Sequence, residues 1–297
     1  MTRDGLPTYR QLPELGGLGV RHSRHVLPVT EGTLAFIEPA DIAAAATTVT
    51  GVTIPLNLAV DAFSPPLFGR SALEHSVVET SRNDAEDHFD GFNPQASSQL
   101  DGLAHVRARE FGYYDGSLDL SAARAGIGMQ HWAARGIAGR GVLLDLVGDD
   151  PFDGSAIRPD DLLAATQRQG VELRAGDILL VRTGWAPAYL AGGGVRGTLS
   201  WRGLAAGEEM AEFLWDTRIS IVGTDNPAVE NSPGDPAVGS LHRRLLPALG
   251  LPMMELLDLE RLAVQCGELA RWDFLFVSVP LNIVGGVSST ANAMAVL

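Results

Sequence analysis

Gly141-Val-Leu-Leu-Asp-Leu-Val147, Pro159-Asp-Asp-Leu-Leu-Ala-Ala-Thr-Gln-Arg-Gln-Gly170 and Asp177-Ile-Leu-Leu-Val-Arg182 follow one another with short connections, and together they decide the fold. The outer two segments are short apolar runs rich in branched side chains and bounded by turn residues. Strands covered on both faces read this way. The middle segment opens with acidic residues, where a helix N-terminus favours negative charge, and stops at Gly170, a natural left-handed end. Working outward, Ile219–Gly223 and Phe274–Val279 are further strands of the same kind. Glu208–Thr217 and Asp258–Leu269 space their apolar residues at the 3.6-residue helical period. Strand–helix alternation of this sort predicts an α/β fold with a mixed sheet.

The chain has 297 residues, 45% apolar and 20% charged, so it can build a core of ordinary size. Single α/β domains of about 250 residues or more are common, and neither a repeat nor a low-complexity linker divides this one. Gly192-Gly193-Gly194 and Ser232-Pro233-Gly234-Asp235-Pro236 read as local loops. Thirty-four glycines, many flanking strand ends, suggest tight turns and close backbone approaches. A net charge of −14 argues against a nucleic-acid backbone or an anionic membrane face as partner. The first residues lack the apolar run of a signal peptide, and no 18-residue uncharged apolar stretch occurs, so the expected location is the cytoplasm. The single cysteine, Cys266, sits in a helix-like pattern and reads as a buried structural thiol.

Four places have the residue types of a site. In Gln95-Ala-Ser-Ser-Gln99-Leu-Asp101-Gly-Leu-Ala-His105, an extended backbone would turn Gln95, Gln99, Asp101 and His105 to one face. A carboxylate, an imidazole and amide oxygens suit Mn²⁺, Zn²⁺ or Mg²⁺. By spacing alone, the plainer reading is an Asx turn followed by a satisfied or surface histidine. Gly223-Thr-Asp225-Asn-Pro-Ala-Val-Glu230 follows a strand directly, where α/β sheets place sites, but Asp225 and Asn226 serve equally well as caps of backbone amides. His242 opens a helix-like run, and Glu255 sits among apolar residues, where a carboxylate must be paired, metal-bound or protonated. His88, among acidic neighbours, reads as part of a surface loop, and His131 as a core histidine with a satisfied nitrogen.

These pieces occur in a familiar order. Ser97–Val106 (SSQLDGLAHV), Arg140–Leu146, Gly176–Trp185, Gly223–Glu230, Leu241–Ala263 and Pro280–Leu297 resemble the cyclase family that includes bacterial kynurenine formamidase and isatin hydrolase. The likeness runs from about Ile54 to the C-terminus. Family members carry His-x-Gly-Thr-His-x-Asp-x-Pro-x-His. Here Gln95 and Gln99 stand at the two leading histidines, while Asp101 and His105 are kept. The branch it resembles most reads Ser-Ser-Gln-Trp-Asp-Gly-Leu-x-His, with Leu100 at the tryptophan.

The resemblance implies a swivelling β/α/β fold with a mixed sheet in one domain over residues 51–297. Residues 1–50 would be an N-terminal arm, able to contact a neighbouring subunit of a homodimer or homotetramer. It also implies a divalent metal, Mn or Zn, held by Gln99, Asp101, His242 and Glu255, with His105 as general acid/base. The leading expectation is a hydrolase that opens an amide, lactam or lactone in a small cyclic or aromatic substrate. A cyclase or lyase of a natural-product pathway, and a non-catalytic binding protein on the same scaffold, are the alternatives.

Overall fold

In the computed structural model, described for residues 3–16, 19–192 and 199–297, nine strands form one mixed sheet. In chain order they are β1 (Thr53–Pro55), β2 (Gln99–Asp101), β3 (Ile137–Asp145), β4 (Ile178–Arg182), β5 (Ile221–Thr224), β6 (Met253–Glu255), β7 (Asp273–Ser278), β8 (Ser288–Thr290) and β9 (Ala293–Val296). Across the sheet the order is β8-β2-β6-β5-β4-β3-β7-β9-β1. The central four, β6, β5, β4 and β3, run parallel, and antiparallel strands flank them on both sides. Gly193 and Gly194 of the expected glycine loop lie outside the described residues.

Both faces of the centre are covered, which is why its strands read as continuous apolar runs. Leu143, Leu180, Ile221 and Met254 face one core with Cys266, Trp132 and Phe276. Val142, Leu144, Leu179, Val222 and Met253 face the other. Among the described residues, eight α-helices pack around the sheet: α1 (Pro39–Ala46), α2 (Leu120–Ile127), α3 (Gln130–Arg135), α4 (Pro159–Gln169), α5 (Trp185–Ala191), α6 (Glu208–Asp216), α7 (Leu241–Arg244) and α8 (Glu260–Leu269). Helix α4 has the bounds its sequence predicts. The Arg158 amide donates to Asp161 at its start, and Gly170 ends it at φ 65°. After α7 the chain continues as a π-helical turn, Leu245–Leu249, around Pro247, whose missing N–H prevents an ordinary α-helical continuation. Residues 3–16 and 19–50 lie against this same domain, with Tyr9, Leu12, Leu34 and Phe36 inside its cores.

Some expectations change in detail. Strand β3 starts at Ile137, earlier than the apolar run, and ends at Asp145. Its first half carries Gly139, Arg140 and Gly141, and Arg140 bridges Asp177 and Asp273 instead of adding to the run. His88 lies on a strand, not in a loop: Glu74–Glu79 and Ala85–Asp90 form a hairpin exposed along its whole length. His131 lies on α3 but is only partly buried, and its Nε2 has no partner among the described residues. Among the described residues, no helix is long and apolar enough to cross a membrane.

Candidate metal centre

The site grows from β2. Ser97 Oγ donates to the Ala59 carbonyl at 2.7 Å, and Ser98 Oγ donates to the Leu256 carbonyl at 2.5 Å while accepting from the Leu58 amide. The two serines therefore anchor the strand where it starts. Leu100 points to one side into the core, fully buried, and the two-residue period sends Gln99 and Asp101 to the other. Gly102 closes the strand beside the Val287 carbonyl. A Cβ there would lie 2.9 Å from that oxygen, so only glycine fits. The His105 amide then donates to the Gly102 carbonyl, a turn that folds His105 back over Asp101. Each letter of Ser-Ser-Gln-Leu-Asp-Gly thus has a local physical reason.

The antiparallel register of β2 with β6 places Glu255 directly opposite Gln99. Glu255 ends one of the four parallel strands, the end at which α/β sheets gather functional groups. His242 is brought over the same face by α7, whose Leu241 is buried in the core below. One ligating atom each from Asp101, His242 and Glu255 lie within 4.8 Å of one another. His242 Nε2 is 3.0 Å from Glu255 Oε1 and 4.0 Å from Asp101 Oδ2. His105 Nε2 stands 3.8 Å from Asp101 Oδ2, beside the cluster and about one-quarter exposed.

Gln95 is on a short 3₁₀ turn (Pro94–Ala96), not on extended chain as its sequence suggests. Asn93 Oδ1 accepts its amide N–H, and Arg70 donates to its carbonyl. From there its Nε2 donates to Asp101 Oδ1 at 2.9 Å, so the four residues still converge. Gln99 Nε2 donates to Glu255 Oε2 at 2.6 Å, and Gln99 Oε1 is buried with no partner among the described residues. As it stands, Gln99 turns its N–H edge to the carboxylates. A half-turn of the amide exchanges the edges and gives the orphan oxygen to a cation held between them.

Glu230, in the segment after β5, completes the arrangement without having been singled out from sequence. Its Oε2 is 2.5 Å from His242 Nδ1, and its Oε1 accepts from Ser240 Oγ at 2.8 Å. A carboxylate on Nδ1 fixes the imidazole with Nε2 facing Asp101 and Glu255, the partner that metal-bound histidines ordinarily have. Nothing in a linear reading shows that Glu230 and His242 meet across a loop. Its neighbours in the same segment take the capping role: Asp225 accepts from Thr183 N, Thr183 Oγ1 and Gly184 N, and Asn226 donates to the Arg202 carbonyl.

The electrostatics follow from two carboxylates buried side by side. Burial, and then the charge of Asp101, push the Glu255 carboxyl up to about 7, against the opposing pull of His242. Burial pulls the His242 imidazole down, but Glu230 and Glu255 outweigh it and hold it well above the ordinary histidine value. For Glu230, burial opposes ionisation and the His242 charge overcomes it, leaving the carboxyl below its usual value. The residues present fit a divalent cation. They offer two carboxylates in need of positive charge, an imidazole whose Nε2 is turned toward them, and an amide oxygen without a partner among the described residues.

The family described as "Putative cyclase" matches residues 28–231. The chain belongs to the cyclase family. A solved structure of a novel cyclase is similar to it at 27% identity and a TM-score of 0.80, covering 93% of this chain and 99% of the other. Isatin hydrolase A from Ralstonia solanacearum shares its fold at 16% identity and a TM-score of 0.61, covering 87% and 96%. A protein from Bacillus stearothermophilus described as a "predicted metal-dependent hydrolase" does so at 17% identity and a TM-score of 0.50, covering 82% and 97%. No curated protein matches the chain. The single-domain α/β architecture with a mixed sheet expected from the sequence is therefore that of the cyclase family.

Proposed function

We propose that this cyclase-family protein is a metal-dependent hydrolase that opens an amide, lactam or lactone in a small cyclic or aromatic substrate. One observation carries the reading: Asp101, His242 and Glu255 converge within 4.8 Å, with His242 Nδ1 held by Glu230. Asp101, Glu255 and His242 Nε2 would hold the cation, and Gln99 would add its oxygen. When bound, a divalent ion supplies Lewis acidity at the carbonyl and brings the pKa of a bound water toward ~7.

The remaining steps belong to the chain's own residues. His105, beside Asp101 at the edge of the cluster, takes a proton from the attacking water and returns one to the leaving nitrogen or oxygen. Gln95 Nε2 lies 3.4 Å from the His105 ring and 2.9 Å from Asp101, linking the two groups. The floor of the site, Gln99 and Asp101, is fully buried, while His105 at its edge is partly exposed.

The test is turnover of a lactam and lactone panel in ¹⁸O-labelled water. Label in the product carboxylate, with turnover abolished in a folded His105→Ala variant, is the expected result. A product formed without label would instead be that of a cyclase or lyase.

A further inference from the structure

The chain has 22 basic side chains against 36 acidic ones, and eight of its arginines sit in ion pairs among the described residues. Arg140 lies between Asp177 and Asp273, Arg182 between Asp145 and Glu260, and Arg21 beside Glu14. One cavity breaks this pattern. A space of about 210 Å³, between the loop after His105 and the segment leading into His242, is lined by Arg109, Arg243 and Arg244 and, among the described residues, by no acidic side chain.

Among the described residues, none of the three arginines meets a carboxylate. Arg244 gives Nε and Nη2 to the carbonyls of Ala206 and Val238, and its Nη1 is buried with no partner among the described residues. The side chains of Arg109 and Arg243 have neither a hydrogen bond nor an ion pair among the described residues. Arg109 is held at φ 47°, a left-handed conformation that non-glycine residues rarely adopt.

One hydrogen-bonded chain joins the cavity wall to the metal centre. Ser240 on its wall donates to Glu230, and Glu230 holds His242. Arg243 follows His242 directly, and Arg109 lies four residues beyond His105. Three guanidinium groups without counter-ions, in a chain of net charge −14, form a local binding place for an anion that the rest of the surface repels. Paired N–H donors of a guanidinium match a planar carboxylate.

We propose that the Arg109–Arg243–Arg244 cavity is a carboxylate subsite, which receives an acidic group of the molecule processed at the neighbouring centre. This rests on the hydrolase reading for the identity of that molecule, and not for the binding itself. The carboxylate is either a pendant group of the substrate or the one released when the ring opens.

The test uses wild type and the Arg109→Gln/Arg243→Gln double variant, both exposed positions, with equal metal content checked in each. Calorimetry with benzoate and with inorganic phosphate reads binding without turnover. The expected result is benzoate affinity at least tenfold weaker in the double variant. Equal benzoate affinity in both proteins overturns the proposal, and so does arginine-dependent binding of phosphate without benzoate. Benzoate binding lost in the variant, in an enzyme that hydrolyses nothing in the panel, leaves the subsite standing and removes the hydrolase reading.

Kinetics then separate the two sources. For a pendant carboxylate, the variant raises KM for a carboxylated lactone at least tenfold relative to its uncharged analogue. For the product's carboxylate, it is product inhibition that weakens, by the same factor.

Discussion

At the scale of single residues, the account turns on how His242 is aimed. Glu230→Gln keeps a hydrogen-bonding group of the same size but removes the charge on Nδ1. It is expected to weaken metal affinity 10- to 100-fold with the fold intact, as read by competition with a chelating dye. Unchanged affinity would mean that Glu230 only braces the loop. Glu255 adds a dependence on pH. Its carboxyl is raised to about 7 from an ordinary value near 4.5, so the metal-free native protein holds a proton there that the unfolded chain has lost. That part of its stability is complete below about pH 4.5 and disappears as pH rises through 7. A cation must displace the same proton, so its affinity falls as pH drops below 7. Thermal unfolding with and without added Mn²⁺ checks both: the shift produced by metal is expected to be small at acidic pH and to grow to a plateau above neutrality. A shift independent of pH would contradict it. Asp101, His105, His242 and Glu255 are each visible in the sequence, but their convergence is legible only through the family pattern. Glu230 lies in a segment the sequence marks as a candidate, but its role is not legible there, because it meets His242 across a loop that leaves no periodic trace.

At the scale of elements, burial decides what a sequence reveals. The central strands are covered on both faces and stand out as apolar runs. Helix α4 carries its own start and stop. The hairpin of Glu74–Glu79 and Ala85–Asp90 buries neither face, so no alternation marks it and His88 reads as part of an acidic loop. Strand β2 is only three residues long, too short for any period, and is set by Ser97, Ser98 and Gly102 instead. Cys266 on α8 is the converse case, where the bland reading holds. It is fully buried in the core, and burial pushes its thiol up to about 12, leaving no thiolate for chemistry at neutral pH. Cys266→Ser is expected to cost roughly 1–3 kcal/mol through a buried hydroxyl and to leave kcat unchanged. Denaturant unfolding and steady-state kinetics together check this, and a large loss of kcat with unaltered stability would make the thiol a reactive group after all.

At the scale of the whole molecule, the centre draws on segments far apart in the chain: Gln95–His105, Glu230–His242 and Glu255. The sheet order β8-β2-β6-β5 is what brings them together. Such an order is not readable from local patterns, whereas the succession of family blocks along the sequence implied it as a unit. The homodimer or homotetramer implied by the same resemblance is a separate prediction. Light scattering on the purified protein should read two or four chains, and a monomer at micromolar concentration would contradict it. The central claim is that Asp101, His242 and Glu255 hold a divalent ion, and elemental mass spectrometry of protein purified without chelators tests it most directly. Wild type is expected to carry about one manganese or zinc per chain, and a folded Asp101→Asn variant to carry little. A wild type without metal that does not take up Mn²⁺ or Zn²⁺ on dialysis, or a variant that retains the full content, would contradict the account.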